Sequence, residues 1–165
     1  MNDVEKLTKK TVEGGGVLAM LYFDIHANSK EMVQELGAGF VNNIIHKPGV
    51  VFAVGEINEP VGGEENKNWS SSIEVKVLTK DMAALVNICL AHSPFTVEVL
   101  KPHELILKPH NINDILSTVA AATAEYKRYI VTKLAKPGEL AQIEEDLKKR
   151  AEMGKKIRER NSGGK

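Results

Sequence analysis

The chain switches between two hydrophobic periods. From Val17 to Ala27, Leu21, Phe23 and Ile25 alternate with Tyr22, Asp24 and His26, the two-residue period of a half-buried strand. Val33, Leu36, Phe40 and Ile44 then recur at helical spacing and predict a helix that buries that stripe. Asn28 with Glu31 three residues on reads as its capping box, each side chain meeting an orphan backbone donor. Gly37 and Gly39 inside the helix each cost about 1 kcal/mol against alanine. Close packing on a sheet is the reason to keep them. Lys47-Pro48-Gly49 stops the helix and turns the chain into a second strand, Val50 to Ile57. In Ser72 to Leu78, Ile73, Val75 and Val77 alternate with Ser72, Glu74 and Lys76, a third strand. Thr79 is placed to cap a second helix whose inner face is Met82, Leu85, Val86 and Cys89. Ser93-Pro94 ends it. Thr96 to Leu100 reads as a fourth strand and Glu104 to Leu107 as a short fifth.

Other stretches are less patterned. Residues 1–16 read as a flexible segment with only Val4, Leu7 and Val12 as sparse apolar points, and Gly14-Gly15-Gly16 as a joint. A phosphate-cradling glycine loop follows a strand and opens a helix, so this run is misplaced for that role. Asn58 to Ser71 reads as a long polar loop carrying Trp69, the single tryptophan. Residues 17–109 form the expected core, and 110–160 a C-terminal helical hairpin or extension. Its first helix carries Leu116, Val119, Thr123, Tyr126, Ile130 and Leu134 on one face. Lys136-Pro137-Gly138 breaks it, and a second helix follows with Leu140, Ile143, Leu147, Ala151 and Ile157. Residues 161–165 read as a disordered tail.

The core order of strand, helix, strand, strand, helix, strand predicts an α+β fold: a ferredoxin-like βαββαβ antiparallel sheet, spatial order 4-1-3-2, with a C-terminal helix pair. Val50 to Val54 with Gly55-Glu56, and Glu74-Val75-Lys76-Val77 running into Thr79-Lys80-Asp81-Met82-Ala83-Ala84-Leu85, resemble the ligand-sensing half of leucine-responsive (Lrp/AsnC-type) regulators. More loosely they are similar to ACT domains, where Pro48-Gly49-Val50 matches the Pro-Gly-Val that leads into the second strand. The resemblance covers residues 18–100 and implies a small effector, often an amino acid, bound between associated subunits. The chain is also similar to a small uncharacterised archaeal protein family.

Composition narrows the function classes. Apolar residues are 42% of the chain and charged residues 27%, ordinary for a globular domain. Net charge is zero, but Leu147 to Lys165 holds eight Lys or Arg against Glu152 and Glu159. Residues 1–146 therefore carry the balancing negative charge. Cys89 is the single cysteine, which rules out an intrachain disulfide and a thiolate zinc cluster within one chain. No apolar run reaches the roughly 18 residues of a membrane span, and Met1 to Lys10 has no apolar core for a signal peptide. A cytoplasmic protein with no membrane partner is the expectation.

Chemistry concentrates on the sheet face opposite Leu21, Phe23 and Ile25. That face carries Tyr22, Asp24, His26, Glu74 and Lys76, with Glu56 after Gly55 as a further member and Trp69 on the adjacent loop. Tyr22, Asp24, His26, Glu56, Trp69 and Glu74 are the expected ligand-binding set. Asp24, His26 and Glu74 are the expected metal set, two carboxylates and an imidazole suiting a divalent cation or proton transfer. The competing account is a solvated or subunit-contacting face with ordinary charge pairs. His103, Glu104 and His110 lack the helical spacing of zinc peptidases and read as turn residues beside proline. Cys89 reads as a small core residue. No catalytic motif is recognisable, and the sequence assigns no cofactor. The leading expectation is a non-enzymatic, self-associating regulatory module that binds a small molecule or an ion. One alternative is a nucleic-acid- or ribosome-associated protein using Lys148, Lys149, Arg150, Lys155, Lys156, Arg158 and Arg160. The other is an acid–base or metal-assisted enzyme using Asp24, His26 and Glu74.

Overall fold

The structure, a computed structural model, describes residues 2–63, 68–135 and 139–162. Lys136-Pro137-Gly138 and residues 163–165 of the expected tail lie outside the described residues, as do the side chains of Arg158 and Arg160. The elements run α1 (Asp3–Glu13), β1 (Val17–Ala27), α2 (Lys30–Ile45), β2 (Val50–Ile57), β3 (Val61–Gly63), β4 (Asn68–Thr79), α3 (Met82–His92), β5 (Thr96–Lys101), α4 (Pro109–Leu134) and α5 (Leu140–Ser162). The protein is α+β, with an antiparallel sheet ordered β2-β4-β1-β5 and β3 paired to β4. Residues 1–120 form one compact unit and residues 121–165 a second, the boundary falling inside α4.

β1 and β4 are central because their alternating apolar positions are buried by helices on one face. They pair along their lengths, from Val17 opposite Thr79 to Ala27 opposite Trp69. Val17, Ala19, Leu21 and Phe23 of β1 meet Ile73, Val75 and Val77 of β4, Ala53 of β2, Ile44 of α2, and Leu85 and Ile88 of α3 in one core cluster. Each Val, Leu, Ile or Phe among them contributes roughly 1.5–3 kcal/mol by leaving water.

α2 seats itself through glycine. The expected stripe of Val33, Leu36, Phe40 and Ile44 is corrected at Leu36, which is exposed, while Gly37 is buried in its place. A Cβ at Gly37 would come within 2.6 Å of Ile57 Cδ1, so the missing side chain lets the helix lie close on β2. Gly39 has open space around it and no packing reason. Gly39→Ala should therefore raise stability by about 0.5–1 kcal/mol, the helix-propensity difference. Gly37→Ala should lower it, because Ile57 must shift. Urea unfolding of both variants checks the pair; equal shifts would contradict this packing.

Several boundaries differ from those expected. Ser29, not Asn28, caps α2, its Oγ accepting from Met32 N at 3.1 Å. Thr79 remains in the sheet and spends its hydroxyl on the Val17 and Asp81 carbonyls, so Asp81 caps α3 by accepting from Ala84 N at 2.8 Å. Within α3, Ala84, Leu85 and Ile88 are buried, with Met82 and Cys89 packed partly against the core. Glu104 to Leu107 forms no strand, and α4 begins at Pro109, a residue suited to a first helical turn because its missing N–H is not needed there.

The largest correction concerns the N-terminal segment. Residues 3–13 are helical, not flexible. Asn2 Oδ1 accepts from Val4 N and Glu5 N, and Glu5 Oε2 accepts back from Asn2 N at 2.9 Å, a complete capping box. α1 packs against β1 and β4. Leu18 and Leu78 share the sheet face of Tyr22 by alternation, yet both are buried. Val4, Thr8 and Val12 of α1 line a cleft with Leu18, so α1 covers that end of the second sheet face.

The 58–71 stretch is also more ordered than a loop. Val61–Gly63 pairs with Asn68–Ser70, which extends β4. Asn58 bridges the break between β2 and β3: its carbonyl accepts from Ser71 Oγ at 2.6 Å, and its amide group donates to Ser72 Oγ at 2.7 Å. Pro60, without an N–H, interrupts the edge there.

Candidate functional site

Beyond the part covered by α1, the second sheet face is open. Alternation puts Met20, Tyr22, Asp24 and His26 of β1 on it. Ser70, Ser72, Glu74 and Lys76 come from β4, Val54 and Glu56 from β2, Thr96 and Glu98 from β5. The register then aligns rows across strands. Glu56, Glu74, Tyr22 and Thr96 form one row; Val54, Lys76, Met20 and Glu98 form the next. Four carboxylates, those of Asp24, Glu56, Glu74 and Glu98, therefore share the open part of the face with Lys76.

Glu56 lies directly opposite Glu74, an arrangement of like charges that destabilises a sheet. Tyr22 stands on the other side of Glu74. Partial burial, followed by the Glu98 and Glu74 carboxylates, pushes its phenol above the ordinary tyrosine range. Hydrogen bonding toward Glu98 acts in the same direction. The Phe95 ring lies beside Tyr22, centroids 6.2 Å apart. The result is an acidic patch with an aromatic and aliphatic floor made by Tyr22, Met20 and Val54.

Five of the six expected ligand residues, Tyr22, Asp24, His26, Glu56 and Glu74, thus share one face. Trp69 does not. It lies in β4 opposite Ala27 and Gly62, with the parity of Ser71 and Ile73, and so belongs to the helix-side face. Among the described residues, no group of three or more His, Cys, Asp and Glu side chains is arranged to hold a metal ion. The expected set of Asp24, His26 and Glu74 is not among such groups. Asp24 and His26 are two residues apart on an extended strand, roughly 7 Å. Glu74 lies opposite Tyr22 and not between them. Glu98 is a member that sequence reasoning missed. Its signal was the polar alternation of Thr96 and Glu98 against Val97 and Val99.

Outside this face, His46 Nδ1 bonds the Asn42 carbonyl at 2.7 Å, a C-terminal turn contact of α2. Cys89 is half-buried, and burial raises its thiol above the usual range. His92 packs edge-on against Phe40 at 5.3 Å, and its Nε2 is buried with no hydrogen-bond partner. Burial first, then Lys47, lowers its imidazole below the usual range. A lowered folded-state value favours the neutral form. The stability it supports is present above about pH 6.5 and is lost as pH falls through the folded value. His92→Leu should therefore flatten the fall in melting temperature between neutral pH and pH 5. Identical slopes for variant and parent would refute this linkage.

On α5, Lys148, Lys149, Arg150, Lys155 and Lys156 are exposed, and Lys149 pairs with Glu145 at 2.7 Å. Among the described residues, no helix is long and apolar enough to cross a membrane.

Residues 18–152 match a family model described as the MJ0538 family. No curated protein matches the chain, and no solved structure does. Nothing in these comparisons ties it to leucine-responsive regulators or ACT domains.

Proposed function

The chain belongs to the MJ0538 family, and for it we propose a non-enzymatic, self-associating regulatory module whose open sheet face binds a small positively charged organic effector. The observation that carries this reading is the row Glu56–Glu74–Tyr22, flanked by Glu98. Two carboxylates held side by side cost stability with no structural return. A cationic amine or guanidinium placed between them reverses that cost, and a tyrosine face offers it a further favourable surface. We read the fold as ferredoxin-like: without the three-residue β3, the order is β1-α2-β2-β4-α3-β5, the split βαβ pattern. The resemblance to leucine-responsive regulators adds the idea of an amino-group-bearing effector.

The nucleic-acid alternative has less support, because Glu152 interrupts the basic half of α5 and Lys149 is already paired with Glu145. The enzyme alternative has less support, because Asp24, His26 and Glu74 are not grouped as one metal-holding set.

Calorimetric titration with a panel of mono- and diamines, guanidinium compounds and amino acids tests the proposal. At least one cationic compound should bind, with affinity that weakens as salt rises. Glu74→Gln should cost that affinity at least tenfold. The same change should raise stability by a few tenths of a kcal/mol, since it removes the like-charge pair. A panel with no binder, or a Glu74→Gln protein that binds equally well, sinks the reading.

A further inference from the structure

A cavity of about 210 Å³ lies away from the acidic row, where β1, α2 and the end of α3 meet. Its walls are apolar: Phe23 and Ile25 of β1, Ile73 of β4, Phe40 of α2, and Phe95 before β5. The Phe23 and Phe40 rings meet edge to face, centroids 4.7 Å apart. An apolar cavity of about 150 Å³ is enough to hold benzene, so this one has room for a ring with a short substituent.

The polar members of the lining are Asp24, His92 and Ser93, and no lysine or arginine joins them. His92 Nε2 is shut off from water without a hydrogen-bond partner, which costs stability until a donor reaches it. Burial, and then Lys47, favours the neutral imidazole, which keeps one nitrogen as an acceptor. Asp24 stands at an open edge. β5 ends with Thr96 opposite Tyr22, so from Phe23 onward β1 is paired on its β4 side alone. The Asp24 carboxylate makes no ion pair among the described residues. Ser93 has φ +51°, the one positive value among the described non-glycine residues. Strain of this kind gathers at functional positions. Here it ends α3 and seats Ser93 on the cavity wall.

We propose that this cavity binds a small aromatic amine, its ring among the phenylalanines and its ammonium at Asp24. A carboxylate, a neutral imidazole and a hydroxyl all accept hydrogen bonds, and a protonated amine has three to give. The phenylalanine rings receive a further ring edge to face or offset. An aliphatic amine leaves the apolar walls unfilled, and a neutral arene leaves Asp24 and His92 without a donor. The site goes beyond the functional reading above, which places a cation over Glu56, Glu74 and Tyr22 on the open face.

Calorimetric titration of the full chain with 2-phenylethylamine, 2-phenylethanol and propylamine tests the proposal. The aromatic amine should bind once per chain, and the alcohol and propylamine at least about tenfold more weakly. Asp24→Asn should weaken the aromatic amine at least about tenfold. Asp24 is exposed, so this variant should keep the circular dichroism of the parent. His92→Leu should also weaken binding, since it removes an acceptor. Nuclear Overhauser contacts should join the bound ring to Phe40 and Phe95. A chain that takes up no 2-phenylethylamine, or takes up propylamine equally well, overturns the proposal. So does binding that Asp24→Asn leaves intact. Binding weakened by Glu74→Gln and not by Asp24→Asn places the amine on the acidic row, which overturns this site and leaves the functional reading standing. Binding that follows Asp24 and not Glu74 supports this site whatever the fate of that reading.

Discussion

Leu21→Ala should cost about 3–5 kcal/mol, at the upper end of leucine truncations. Leu21 is fully buried at the middle of β1, paired with Val75 on one side and Val97 on the other. Its side chain belongs to the single cluster that joins both central strands to α2 and α3. Truncation removes transfer free energy and leaves a cavity whose walls are strands hydrogen-bonded on both edges, so they collapse poorly. A domain of this size holds roughly 5–15 kcal/mol in total. The variant should lose at least about a fifth of that and unfold at a much lower urea concentration with the same slope. A shift below about 1 kcal/mol would mean the site collapses or the core is centred elsewhere. Leu36→Ala is the matched control: Leu36 is exposed on α2 despite its place in the periodic pattern, and should change stability little.

Those two leucines show what the sequence made legible and what it did not. Alternation in β1 and β4 was strong because each strand has helices on one face and a polar face on the other. It placed the two strands together and put Tyr22, Asp24, His26 and Glu74 on one side. Helical periodicity could not separate Leu36 from Gly37, because α2 is seated by a residue with no side chain, and hydrophobicity carries no weight at glycine. Trp69 was misread for a similar reason. Val61–Gly63 is too short and glycine-rich to show a period, so the strand partner that orders Trp69 was invisible. The N-terminal helix buries Thr8 and little else, which leaves its pattern polar. Its cap signal, Asn2 followed by Glu5, was present but had no apolar run behind it. The acidic row across four strands depends on register, which single strands do not encode.

Gly16→Ala should be strongly destabilising, costing about 3 kcal/mol, the upper part of the overpacking range. The three glycines at 14–16 read as a joint, yet they form a fixed corner between α1 and β1. Gly14 ends the helix, its N–H donating to the Lys10 carbonyl at 3.1 Å, and Gly15 has φ +99°, where a side chain is strained. Gly16 is the tightest point. A Cβ there would come within 2.5 Å of the Thr79 carbonyl oxygen and 2.8 Å of the Thr11 carbonyl oxygen. Neither oxygen can retreat cheaply. Thr11 O accepts from Gly16 N at 2.8 Å, and Thr79 is fully buried and paired with both Val17 of β1 and Val50 of β2. The relief available is for α1 to move off the sheet, which uncovers Leu18 and Leu78. Gly16→Ala should therefore lower the urea midpoint and selectively speed amide exchange in residues 3–13, with β4 exchange changing only as far as global stability falls. Parental stability, or unchanged exchange in α1, would mean the corner yields and α1 is not anchored through Gly16.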